Sequence, residues 1–163
     1  MELVYKWMNE PHVAKFWNQA WSLDKWTRHL DEIAGDGYAA PLLIANRDRP
    51  VCYLELYRAA RHSVAEHYPA HPHDVGLHIA IGDAQLTGKG VGKQICRSVF
   101  DAIFSADPAC RRIVTEPDVR NDVAHKLFRG LGMHLVGEIQ LPHKRAALFA
   151  LESTVDDVHH AAR

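Results

Sequence analysis

The residues best placed to do chemistry in this chain are small ones. The run Gln85-Leu86-Thr87-Gly88-Lys89-Gly90-Val91-Gly92 follows a strand-like segment and leads at once into an amphipathic pattern. A turn of small residues at a helix start leaves several backbone N–H groups pointing outward, beside the positive end of the helix dipole. That is a site for a pyrophosphate. Gly88, Gly90 and Gly92 let the backbone approach phosphates with no Cβ in the way, and Lys89 adds charge at the rim. The turn lacks the Gly-Lys-Ser/Thr of a Walker A loop, and no βαβ unit precedes it as a dinucleotide fingerprint requires. Taken alone, the same glycines would also serve a tight strand-to-helix connection.

The elements that must position this turn can be read on both sides of it. Val75–Ile81 reads as a strand closing at Gly82-Asp83. After the turn, Val91, Ile95, Val99 and Ile103, flanked by Cys96, Phe100 and Phe104, form one apolar stripe at helical spacing, ended by Asp107-Pro108. Arg112–Thr115 reads as a short strand running into Glu116-Pro117-Asp118. A second amphipathic helix follows over Asn121–Leu131, with Ala124, Leu127, Phe128 and Leu131 on one face. Met133–Gln140 and Ala146–Leu151 read as a final strand pair. Upstream, Leu42–Ala45 and Val51–Tyr57 read as a hairpin around a polar turn, and Arg58–His73 as a surface loop. Residues 7–34 read as two short helices, one capped by Asn9 with Pro11 in its first turn, the other capped by Ser22.

The order strand, Gln-x-x-Gly-x-Gly, helix, strand, then Asn121, Ala124, Leu127, Phe128, Leu131, Gly132 and Met133, resembles the Gcn5-related N-acetyltransferase (GNAT) superfamily. The resemblance implies an α+β (α/β) fold: a mixed, mostly antiparallel central sheet with a splayed parallel strand pair, flanked by helices. It implies acetyl-CoA or another acyl-CoA as co-substrate. The pyrophosphate would lie on the glycine turn and the pantetheine arm between Val75–Ile81 and Arg112–Thr115. The implied cofactor contacts are Ile79, Ile81, Gln85, Gly88, Lys89, Gly90, Val91, Gly92 and Asn121. Three further segments, Trp7–Trp17, Gly76-Leu77-His78-Ile79 and Pro142–Leu148, look like the siderophore-biosynthesis acyltransferases that acylate the hydroxylamine of N6-hydroxylysine or a related hydroxylated amine. With these, the resemblance reaches Leu151, and residues 1–151 are expected to form one acyltransferase domain with 152–163 a disordered tail.

That resemblance places His78 and Glu116 at the family's catalytic histidine and acidic residue. The chemistry suits them, because attack on a thioester needs a neutral nitrogen and removal of a proton as the intermediate collapses. Histidine titrates in the right range for this. His78 lies in the strand before the turn, and Glu116 ends the next strand, placed to orient His78 or hold the substrate. A backbone N–H near Ile79–Ile81 would stabilise the oxyanion. Trp7, Asn9, Phe16, Trp17, His143, Lys144 and Arg145 are the expected substrate contacts, although aromatic residues at such positions often serve only as core. The pattern departs from the wider superfamily at Phe128, where many relatives carry a tyrosine that protonates the leaving thiolate. It departs again at Met1–Tyr5, all that stands where relatives begin with a strand.

Composition narrows the alternatives. Nearly half of the 163 residues are apolar (47%), and 19 Lys plus Arg nearly balance 20 Asp plus Glu. This is a globular composition with no electrostatic reason for a nucleic-acid or membrane partner. No run is long and apolar enough for a signal peptide or a membrane span. The three cysteines, Cys52, Cys96 and Cys110, have no metal-ligand spacing and read as buried reduced thiols of a cytoplasmic protein. His62, His67, His71 and His73 lack carboxylate or thiolate partners and read as a loop, so no metal is expected. The expected partner is a small-molecule amine or hydroxylamine, with the chain a monomer or homodimer. An aminoglycoside 6'-type acetyltransferase is the competing enzyme. Glu55, Glu66, Asp74 and Glu116 supply some acid for a polycation, but Lys144 and Arg145 oppose one. A non-catalytic acyl-CoA-binding module is the competing reading of another class.

Overall fold

The structure is a computed structural model, and it describes residues 1–154. Its scaffold is a six-stranded sheet in the order β1-β2-β3-β4-β6-β5. The strands are β1 (Ala39–Asn46), β2 (Arg49–Arg58), β3 (Val75–Ile81), β4 (Arg112–Thr115), β5 (His134–Leu141) and β6 (Lys144–Glu152). Every neighbouring pair is antiparallel except β3 and β4. Helices α4 (Val91–Ala106) and α5 (Asp122–Arg129) cover one face. There Cys96, Phe100, Ile103 and Phe128 pack on Leu54, Leu77, Ile113 and Phe149. The α4 stripe predicted from spacing is the stripe that packs.

The other face is covered on its β2–β3 side by α1 (Glu2–Met8), α2 (Pro11–Trp17) and α3 (Leu23–Asp36). Among the described residues three helices, α1–α3, come before β1. Met1–Tyr5, which stand where relatives begin with a strand, are helical here: Met1 is the N-cap of α1 and Glu2–Tyr5 lie within it. Val4, Trp7 and Met8 recur at i, i+3 and i+4, and this helical period puts them into one cluster with Trp26, Tyr53 and Ala80. The cap of α2 is Glu10 rather than Asn9, because Pro11 occupies the first helical position. Ser22 caps α3 as expected, accepting from the Lys25 N–H at 3.3 Å. Segment 58–73 also differs from a plain surface loop. It forms two short 3-10 turns, Ala59–Arg61 and Ser63–His67, and Ala59 and Val64 are fully buried beside Tyr57 and Val114. Strand β6 continues through Glu152, one residue past the expected domain end. Of the expected tail 152–163, residues 155–163 lie outside the described residues.

The feature that makes room for function is the short contact between β3 and β4. They pair only at Val75–Ile113 and Gly76–Val114. The Thr115 hydroxyl then donates to the Leu77 carbonyl at 3.0 Å, and beyond it the strands part. Pro117 has no N–H to give to a ladder, and the segment around it stays with β6. Ala147 N–H donates to the Pro117 carbonyl at 2.9 Å and Val119 N–H to the Arg145 carbonyl at 3.1 Å. The outer half of β3 is left with a free edge.

Candidate active site

Alternation along β2 places Tyr53, Glu55 and Tyr57 on the face covered by α1–α3, and alternation along β3 places Gly76, His78 and Ala80 there too. The antiparallel register sets Glu55 directly opposite His78 and Tyr57 opposite Gly76. Gly76 is required at that point. A Cβ on it would fall 2.0 Å from Cζ of Tyr57, so only glycine lets the ring lie across β3. From there the Tyr57 hydroxyl donates to Glu116 Oε2 at 2.7 Å.

His78 is held at both ring nitrogens. Nδ1 lies 3.1 Å from Glu55 Oε2, and Nε2 is in close hydrogen-bond contact with Glu116 Oε1. Glu55 is itself engaged, accepting from the Tyr53 hydroxyl at 2.6 Å and facing His29 Nε2 at 3.4 Å. Both carboxylates are buried. Burial works against their ionisation, yet each is held below the usual carboxylate range. For Glu55 the cause is hydrogen bonding from His29 and His78. For Glu116 it is the charge and hydrogen bond of His78, with Lys144 and Tyr57 adding to it. Burial likewise opposes the charged form of His78, but the two carboxylates outweigh it and raise its pKa. The ring packs against Tyr57 at 4.8 Å and meets the edge of Trp17 at 5.8 Å.

This cluster opens into a cavity at the splay, lined by Phe16, Trp17, Gln19, His78, Ile79, Thr115, Glu116, Asn121 and Phe128. Gln19 carries a buried Oε1 with no hydrogen-bond partner among the described residues. From the cavity a groove of about 630 Å³ runs between α2 and α5 to the glycine turn. Ile79, Ile81 and Gly88 line its floor, Lys15 and Phe16 one wall, Asn121 and Leu127 the other. Leu77 O accepts from Thr115 and Ile81 O lies 2.8 Å from His12 Nε2, so both face this edge of β3. Alternation then directs the N–H and C=O of Ile79 into the same space.

Gly88 (φ +71) and Gly90 (φ +81) adopt left-handed backbone with open space over them, and Gly90 is the N-cap of α4. Gln85 and Lys89 are exposed on the turn, and Val91 and Gly92 are the first residues of the helix. A Cβ at Gly92 would make only an ordinary 3.5 Å contact with Leu127. Asn121 both lines the cavity and caps α5, accepting from Ala124 N–H at 3.1 Å.

The expected substrate residues divide. Phe16 and Trp17 line the cavity, while Lys144 and His143 sit close enough to bear electrostatically on Glu116 and His78. Trp7 is core, lying over Gly82. The Asn9 amide donates to the Tyr5 carbonyl at 2.9 Å and ties α1. Arg145 is ion-paired with Glu138 on β5. These three are not brought to the cavity. Thr115, the other hydroxyl at the splay, donates to the Leu77 carbonyl, and Phe128 is buried beside Phe149. The three cysteines are free and buried, and no group of three or more metal-ligating side chains occurs among the described residues. No helix among them is long and apolar enough to cross a membrane.

A splayed parallel pair, a glycine turn at the mouth of the splay and a held histidine inside it are what the sequence resemblance implied. The model of the acetyltransferase (GNAT) domain matches residues 1–141. The chain belongs to the GNAT acetyltransferase family. It is an acyltransferase, and enzymes of this family draw their acyl group from acetyl-CoA or another acyl-CoA. Its relatives include a lysine N-acyltransferase, MbtK, of Mycolicibacterium paratuberculosis, 36% identical over 156 residues, covering 96% of this chain and 71% of the relative. Another is the N(6)-hydroxylysine O-acetyltransferase of Escherichia coli, 34% identical over 162 residues. This chain spans 98% of its own length in that match but about half, 49%, of the E. coli protein. Among solved structures, the aminoglycoside acetyltransferase AAC(6')-Ib in complex with coenzyme A superposes with a TM-score of 0.84. That match covers 93% of this chain and 88% of the other at 21% identity, a likeness of fold alone.

Three functional features escape a reading of the sequence: the pairing of Glu55 with His78, the Tyr57–Gly76 pair and Gln19. A carboxylate amid the apolar run Val51–Tyr57 was an available signal for Glu55, since an acid buried in a strand needs a partner. Nothing local marks Gln19.

Proposed function

We propose that this chain transfers an acyl group from an acyl-CoA to the hydroxylamine nitrogen of N6-hydroxylysine or a related hydroxylated amine, the step that makes a hydroxamate for a siderophore. The observation that carries the reading is the placement of His78 and Glu116 at the inner end of a groove whose outer end is the Gly88–Gly90 turn. In this reading the turn's amides and the α4 dipole take the pyrophosphate, with Lys89 and Lys15 adding charge. The pantetheine arm lies along the free edge of β3, between Ile79 and Ile81 on one side and Asn121 on the other. The thioester carbonyl then sits beside the Ile79 N–H, which is directed at the oxyanion that forms.

The nucleophile is a neutral hydroxylamine. Its nitrogen attacks the thioester carbon, the C–N bond forms, and collapse of the tetrahedral adduct breaks the C–S bond. The nitrogen's proton passes to the His78–Glu116 couple, and the departing sulfur gains one. Gln19 Oε1, buried and without a partner among the described residues, accepts a hydrogen bond from the substrate's N–OH. This leaves the nitrogen lone pair to react and favours transfer to nitrogen over oxygen. In this reading Lys144, with His143 beside it, holds the substrate carboxylate. The same lysine disfavours a polycationic aminoglycoside.

The test is a product assay. Purified protein is mixed with N6-hydroxylysine and a panel of acetyl-, succinyl- and long-chain acyl-CoA, and the product is treated with iron(III). A coloured ferric hydroxamate is the expected result. Thiol release with no hydroxamate would mean transfer to oxygen, and no thiol release from any donor would overturn the assignment.

A further inference from the structure

The hydrogen-bond arithmetic around His78 leads past the role first expected for it. A neutral imidazole has one donor nitrogen and one acceptor nitrogen, and an ionised carboxylate only accepts. Here both ring nitrogens face carboxylate oxygens, Glu55 Oε2 at 3.1 Å and Glu116 Oε1 in closer contact. The other oxygen of each carboxylate accepts from a tyrosine hydroxyl, Tyr53 at 2.6 Å and Tyr57 at 2.7 Å. A neutral ring would set a lone pair against a carboxylate oxygen at one end or the other. With both carboxylates held ionised, only the imidazolium satisfies both contacts.

We propose that Glu55 is a positioning residue that keeps His78 protonated on both nitrogens, so that Glu116 rather than His78 accepts the proton of the attacking nitrogen. The inference rests on the reading of this cavity as the acyl-transfer site. Bond formation leaves the nitrogen positively charged and far more acidic than the free amine, so a carboxylate suffices as acceptor. The proton moves from nitrogen to Glu116 Oε1, the C–S bond breaks, and the couple returns one proton to the thiolate sulfur. One proton leaves nitrogen and one arrives on sulfur, and the couple ends the cycle as it began.

The groups that face His78 agree with this state. Glu55 comes from β2 and Glu116 from the end of β4. Tyr57 and Tyr53 come from β2, and burial together with the neighbouring carboxylate raises the pKa of each, so they remain donors. His62, from the turn after β2, and His143, from the β5–β6 tip, are both pushed down by burial and stay neutral near pH 7. Lys144 is the nearby cation, and His29 of α3 stands behind Glu55. Trp17 of α2 closes the ring's remaining edge. Two carboxylates thus act directly on His78, while Lys144 acts on Glu116.

The test is a histidine side-chain 15N NMR titration of the free protein, with the His78 signals assigned by their loss in His78→Gln. Both nitrogens should report imidazolium at pH 7.5. In Glu55→Gln the midpoint should fall by about one pH unit or more, the loss of one carboxylate neighbour, and Glu55→Asp should recover part of it. A neutral His78 tautomer at pH 7.5 in the unaltered protein, or an unmoved midpoint in Glu55→Gln, would overturn the proposal. Kinetics give a second readout that a merely structural role would not move. Glu55→Gln should shift the alkaline limb of kcat/KM to lower pH with KM for acyl-CoA unchanged. Glu116→Gln should lower kcat about 10²-fold or more, as loss of a general base does. Because the titration needs no substrate, it stands or falls separately from the identity of the acceptor.

Discussion

Replacing Gly76 with alanine tests whether the site is built on the close approach of Tyr57 to β3. The new Cβ would lie 2.0 Å from Cζ, 2.1 Å from Cε2 and 2.6 Å from the hydroxyl of a ring that is 4% exposed. The ring must swing out, an overpacking that costs about 1–3 kcal/mol. Its hydroxyl then leaves the Glu116 carboxylate, and a hydrogen bond to a charged group contributes about 1.5–3 kcal/mol. Together the change should cost about 2.5–6 kcal/mol, a large fraction of a typical domain's 5–15 kcal/mol. Gly76 has no positive φ, so alanine itself suits the strand. In a Tyr57→Ala background the obstacle is gone, and Gly76→Ala should stabilise by about 0.5–1 kcal/mol. The assay is urea denaturation of all four proteins at one fixed sucrose concentration, so that the weakest begins folded. A reversal of sign between the two backgrounds is expected. An unchanged midpoint for Gly76→Ala in the parent, or the same cost in both backgrounds, would refute the reasoning.

Other perturbations separate the remaining parts of the site. Gly90→Ala places a Cβ on left-handed backbone at about 1–2 kcal/mol, and should raise the Kd for CoA about 5–30-fold by calorimetry while leaving the KM for hydroxylysine unchanged. Gln19→Leu removes the acceptor proposed for the substrate N–OH. It should reduce kcat/KM for hydroxylysine about tenfold, the worth of about one hydrogen bond, while leaving the KM for acyl-CoA unchanged. The folded protein's pH dependence has a defined sign. His78 is raised from 6.5 to about 9, so its contribution to stability is complete below pH 6.5 and is lost as pH climbs through about 9. Glu55 and Glu116 are lowered from 4.5, so theirs is complete above pH 4.5 and is lost as pH falls toward their depressed values. Urea midpoints should therefore be highest between about pH 4.5 and 6.5, and His78→Gln should flatten the alkaline decline.

How much of this was legible in the sequence depended on whether the determinant was local. Strands β3 and β4 appear with the predicted bounds, and α4 begins at Val91 as its stripe indicated, because a glycine turn marks the boundary between two clear periods. The splay was expected from the family resemblance alone; in the structure Pro117, with no N–H to give a ladder, follows the point where the strands part. The opening helix was obscured because Leu3, Val4, Trp7 and Met8 are too few to establish a period before Pro11 interrupts it. Glu55 was visible only as one of several acids suited to a polycation. Its partnership with His78 depends on the register between β2 and β3, set across the 16-residue excursion from 59 to 74 that no local pattern encodes. Arg145 read as part of a cationic tip, but alternation along β6 turns it toward Glu138 while Lys144 faces the site.

Thiol release from acyl-CoA, followed with N6-hydroxylysine or kanamycin as acceptor and repeated with His78→Gln, addresses acyl transfer at this cavity most directly. Release should require hydroxylysine, and should fall by about 10²–10⁴-fold without the histidine. Equal rates for folded parent and His78→Gln protein, or a preference for kanamycin, would contradict the account.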